Sequence, residues 1–86
     1  MIQQSKNIDI LSQEDILNFK KKAKSYIPVR VHELALRFGY VYNNIRITSA
    51  QTRWGSCSSK KNLNFSYRLM LFPSDVIDYV IVHELA

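Results

Sequence analysis

Between Ile16 and Ile27 the side chains Ile16, Phe19, Ala23, Tyr26 and Ile27 recur at steps of three and four, the period that gathers apolar groups on one face of an α-helix. Lys20, Lys21, Lys22 and Lys24 fall mostly on the opposite face. The stretch LSQEDI supplies the start: Ser12 can cap the first free amides, Asp15 stands where a capping box places its acid, and Leu11 and Ile16 are spaced as a hydrophobic staple. Pro28 interrupts the pattern and suits a first helical turn. A second segment is therefore expected from Pro28 to Phe38, with Val31, Leu34, Ala35 and Phe38 buried and Gly39 as its stop.

After Asn43 and Asn44 the period changes. Ile45 and Ile47 alternate with Arg46 and Thr48, the pattern of a half-buried strand. TRWGSC continues as a second strand, SSKKN reads as a turn, and LNFS as a third strand with Leu63 and Phe65 on one face. Because each link is short, an antiparallel meander is the economical connection. The last segment, FPSDVIDYVIVHELA, is expected as a helix with Pro73 in its first turn and Asp75 at its positive end. Val76, Ile77, Tyr79, Val80, Ile81 and Val82 make it apolar nearly all round, as in a central buried helix. The expected class is α+β: a tail over 1–11, a helical part over 12–39, a small sheet over 45–66 and a closing helix over 73–86.

Composition narrows the setting. A chain of 86 residues makes at most one small domain, which buries only about 60% of its unfolded surface. The lone cysteine, Cys57, excludes an internal disulfide, and MIQQSKNIDI has no apolar core of a secretory signal. No run of about 18 apolar residues is present to cross a membrane, and a cytoplasmic location is expected. The net charge of +5 permits an anionic partner. One reading, from a different class than an enzyme, is a basic nucleic-acid module using Lys20, Lys21, Lys22, Lys24, Arg53, Lys60 and Lys61; the plainer one is a solvated helix face.

The pentapeptide VHELA occurs twice, at Val31–Ala35 and Val82–Ala86. In the helical zinc motif H-E-x-x-H the fifth position must be histidine. In the first copy that place holds Leu36, and about 100° per residue turns Glu33 nearly opposite Val31, towards solvent. Glu33 is thus expected to face solvent and His32 to lie on the flank of the helix. In the second copy, His83 and Glu84 break an apolar run, and burying an ionisable pair costs several kcal/mol unless each group is compensated. A divalent metal on His83 with Glu84 as the base is one compensation, since zinc takes imidazole nitrogen and acidifies its water. A solvated helix end is the other.

Residues 52–86 resemble the YgjP-like family of predicted metal-dependent hydrolases, whose compact members are called minigluzincins and which is related to the SprT and WLM metalloproteases. The resemblance runs through RWGSC, NLNF, RLM, the proline and DYVIVHELA; residues 12–51 fit the family's leading helix and first strand only loosely. It implies a zincin-like fold with His83 as a zinc ligand and Glu84 as general base and acid. In that family a second histidine follows HELA directly and a third ligand lies downstream. The expectation is therefore the leading portion of a zinc metallopeptidase, cut inside its active-site helix and inactive by itself, whose intact form hydrolyses peptide or protein. Hydrolysis of a nucleotide phosphoanhydride remains open. Self-association through apolar surface left bare by such a cut is a further expectation.

The other motif positions carry structural expectations. Trp54 is read as an anchor packed on the active-site helix, Gly55 as a point of close backbone approach or a bulge, and Ser56 as part of an edge to which an extended peptide could add as a strand. Cys57 is read as a small buried hydrophobe. Arg53 and Arg68 could orient substrate, with surface salt bridges the plainer role.

Overall fold

The computed structural model describes residues 12–86; Leu11, one half of the expected staple, lies outside the described residues with the rest of the 1–11 tail. Helix α1 (Gln13–Phe38) starts as the sequence indicates. The Ser12 hydroxyl accepts from the Asp15 N–H at 3.1 Å and the Ser12 N–H donates to the Asp15 carboxylate at 3.4 Å, closing a capping box. Gly39 ends the helix at φ 75°, a left-handed conformation that strains any residue with a side chain.

The expected break at Pro28 is absent: α1 is one helix of 26 residues with Pro28 inside it. Proline forfeits one helical N–H and crowds the preceding turn, so tertiary packing has to hold the two halves in line. Ala23 and Ile27 before the proline and Val31, Leu34 and Ala35 after it form one buried stripe, and most helical stability in proteins comes from such a stripe. Phe38, expected to belong to it, is exposed with Arg37 lying over its ring. Beyond Gly39 it is Tyr40 that packs against the core.

Strands β1 (Ile45–Thr48), β2 (Gly55–Cys57) and β3 (Leu63–Ser66) form one sheet in the order β1-β3-β2. The antiparallel meander is thus corrected to a mixed sheet. β2 and β3 make the expected hairpin, with Lys61 in the left-handed region at φ 65° in its turn, but β1 pairs with the far edge of β3 and runs parallel to it. The physical reason lies in β3. Leu63, Phe65 and Ser66 are all buried, so this strand takes the centre, where neighbours cover both of its edges. The segment from Thr48 to Gly55 then has to cross the end of β3, and Ser66 ties it down: its hydroxyl donates to the Ala50 carbonyl at 2.8 Å and its N–H to the Trp54 carbonyl at 3.0 Å.

Helix α2 (Ser74–Leu85) begins one residue after Pro73, whose carbonyl accepts from the N–H groups of Val76 and Ile77. The expectation of burial all round is also corrected. Ile77, Ile81 and Leu85, four residues apart, are the buried stripe, while Val76 and Tyr79 are exposed. α2 packs on α1 and β2, and these neighbours lie on one side of it.

A fork joins the two helices. Arg30 donates from Nε to Asp78 Oδ1 at 2.8 Å and from Nη2 to Asp78 Oδ2 at 2.7 Å, while Nη1 reaches Glu33 at 2.9 Å. The two parallel hydrogen bonds from Arg30 hold the Asp78 carboxyl below its ordinary value; burial opposes them, and the charges of Arg30 and Arg37 add to them. A carboxylate with a lowered folded pKa contributes stability above its unfolded value, about 4, that is lost as pH falls through the folded one. Asp78→Asn is expected to lower the urea midpoint at neutral pH and to flatten its decline between about pH 5 and 2. An unchanged acid limb would show that this fork does not couple folding to protons.

Candidate active site

Glu84 brings α2 close to the sheet at Gly55. A side chain on Gly55 would put its Cβ 3.2 Å from Glu84 Cγ and 3.0 Å from Phe65 Cδ1, so a methyl group there must displace one of them. The backbone of Gly55 is ordinary extended strand. What the position requires is the missing side chain, as the sequence suggested through close approach, and what approaches is the helix carrying Glu84. The Glu84 side chain is consequently only 17% exposed.

His83 stands as the solvated-end alternative has it, not as half of a buried pair. Its side chain is 66% exposed, and its Nδ1 lies 3.6 Å from Glu84 Oε2, a contact longer than a hydrogen bond. No buried charge pair therefore demands compensation at His83, because the neighbours of α2 cover the opposite side of the helix. The Tyr79 ring, one turn earlier, lies 6.2 Å from the imidazole.

These groups line an open groove of about 340 Å³ between β2 and α2. Thr52, Arg53, Trp54 and Gly55 form one wall, and Tyr79, Val80, His83 and Glu84 the other. The expected constellation of Arg53, Trp54, Gly55, His83 and Glu84 is thus brought to one place, although it is assembled from segments about thirty residues apart. Ser56 is not in this groove; it faces a second hollow on the outer side of the sheet. Trp54 is half-buried and meets Phe72 edge to face at 4.8 Å between ring centroids, anchoring the wall as well as facing α2.

Tyr79 and Val80 were missed as groove residues by sequence reasoning. Helical spacing could have found them, since Tyr79 is four residues before His83 and Val80 four before Glu84. Thr52 carried no such signal. Arg53 and Arg68 make no ion pair among the described residues, against the salt-bridge expectation; Arg68 Nε is buried with no hydrogen-bond partner. Cys57 packs against the core from a half-buried position. In the first pentapeptide, Glu33 is spent on Arg30, and His32 is an exposed residue whose Nδ1 lies 3.4 Å from the Tyr42 hydroxyl.

The donor set fits a catalytic metal only in part. His83 offers an accessible imidazole and Glu84 a carboxylate beside it, yet no group of three His, Cys, Asp or Glu occurs among the described residues that could enclose an ion. Three protein ligands are the usual requirement for catalytic zinc. His83 and Glu84 fall short of that number by themselves.

A family model described as YgjP-like, metallopeptidase domain, matches residues 4–86, extending well beyond the stretch at 52–86 where the resemblance was legible. No curated protein and no solved structure matches the chain.

Proposed function

The chain belongs to the YgjP-like metallopeptidase-domain family, and from that premise we propose that it carries part of the active site of a zinc-dependent hydrolase acting on peptide bonds. His83 is one metal ligand, and Glu84 is the general base that takes a proton from the attacking water and returns it to the leaving group. The observation that carries this reading is the seating of Glu84: a carboxylate held beside an accessible imidazole, in a groove made possible by the absence of a side chain at Gly55.

Each residue has a task that follows from its place. Glu84, largely covered and close to Gly55, presents its carboxylate from a helix, which meets the positional demand of general base catalysis. β2 lies at one edge of the sheet, so an extended peptide can add along it and pass His83 and Glu84. When bound, zinc would supply Lewis-acid polarisation of the scissile carbonyl and a more acidic water. His83 would hold that ion as one of the three protein ligands that a catalytic zinc normally takes. A cytoplasmic location belongs to the same reading, with Cys57 as a free thiol.

Metal analysis of the full product of the reading frame tests the proposal. The wild-type protein is expected to retain about one zinc after dialysis, and His83→Ala to lose most of it together with hydrolysis of an unfolded protein substrate. His32→Ala is expected to keep both. Zinc retained without His83, or lost without His32, would contradict the assignment.

A further inference from the structure

From Leu34 to Ser74 the chain carries Arg37, Arg46, Arg53, Lys60, Lys61 and Arg68 and not one Asp or Glu. All three strands lie inside this acid-free stretch. Arg46 is the charged residue within the strands, and Arg53, Lys60 and Lys61 stand in the loops beside them, whereas the lysines of α1 share their helix with Glu14, Asp15 and Glu33. Charge of one sign that is not neutralised locally creates a field for anions.

Register converts that charge into a surface. Ile45, Ile47, Leu63 and Phe65 point to the helices and pack in or against the core, so the alternate residues face outward. Arg46 is paired with Asn64, and Asn64 with Ser56, which places these three in one row across β1, β3 and β2. Neighbouring strands are about 4.8 Å apart, so the row offers a guanidinium, an amide and a hydroxyl at short, regular intervals. Two open hollows, of about 500 and 180 Å³, meet at Asn64; the larger is lined by Arg46 with Asn62, and the smaller by Ser56 with Arg53. Arg46 and Arg53 are exposed and pair with no carboxylate among the described residues.

We infer that this outer face of the sheet binds the phosphodiester backbone of a nucleic acid. Arginine together with neutral amide and hydroxyl donors is the set that contacts phosphate and sugar oxygens without reading sequence. The row is polar, with no large apolar side chain on it to enter a lipid interface, which disfavours a membrane surface. The face adjoins the groove of His83 and Glu84 at Arg53, which lines both, and needs no metal.

The test is the binding of fluorescent single-stranded and double-stranded oligonucleotides to the full product of the reading frame, followed by anisotropy as salt is raised. For the wild-type protein, affinity is expected to fall steeply with salt. Arg46→Ala/Arg53→Ala is expected to weaken binding at low salt by about tenfold or more and to make the single-strand salt slope shallower by about 1.4, the value for two lost phosphate contacts. Arg46→Lys/Arg53→Lys keeps the charge and is expected to keep most of the slope, while circular dichroism verifies the fold of each variant. Lys21→Ala/Lys22→Ala on α1 is expected to change little, and a chelator nothing. The inference is overturned if neither oligonucleotide binds, if the lysine pair loses as much as the arginine pair, or if polyglutamate or anionic vesicles compete as well as the oligonucleotides do.

Discussion

Replacing Glu84 by Gln in the full product of the reading frame is expected to lower kcat by about 10²- to 10⁴-fold, the usual contribution of a positioned general base. Gln has nearly the shape of Glu, so the close approach to Gly55 that seats residue 84 survives. What disappears is the ability to accept a proton. Because His83 keeps its own place on α2, the zinc content is expected to be unchanged, and this separates loss of the base from loss of the metal. The comparison is therefore a pair of measurements on one preparation, turnover of a peptide substrate and bound zinc by atomic absorption. Full turnover in the Gln variant would remove Glu84 from the mechanism. Loss of zinc along with activity would recast it as a residue that holds the site together.

The largest effect on stability is expected from Phe65→Ala, at about 3–5 kcal/mol, the range for removing a fully buried aromatic ring. Phe65 is completely buried on the central strand, and its ring edge lies 3.0 Å from the place of a Cβ on Gly55. It pairs across the sheet with Gly55, the position that Glu84 approaches from α2. Domains are stable by roughly 0.05–0.15 kcal/mol per residue, so a loss of this size takes a large part of the margin of so short a chain. Urea unfolding followed by near-ultraviolet dichroism is expected to show a much lower midpoint. A loss below about 1 kcal/mol would mean that the surrounding side chains collapse into the vacated space, and that Phe65 does not set the distance between sheet and helix.

Local chemistry was legible in the sequence because its causes are local. Ser12 and Asp15 close the capping box they announce, Gly39 takes the left-handed stop, and the alternation in LNFS becomes a strand with Leu63 and Phe65 buried. Pro28 misled for a related reason: its cost is local and visible, while the stripe from Ala23 to Ala35 that offsets it acts through packing on the rest of the fold. The fork from Arg30 to Asp78 spans 48 residues, and no periodicity encodes so distant a partner.

His83, Glu84 and the motif RWGSC could be named from the chain alone, since those residue types and their order carry the chemistry. Their arrangement could not. Strand order depends on which strand has both edges to cover, and the exposure of His83 depends on which side of α2 its neighbours occupy. Both are outcomes of nonlocal burial, so only the folded chain decides that β3 lies between β1 and β2, that Glu84 is seated against Gly55, and that Arg46, Asn64 and Ser56 share one outer row.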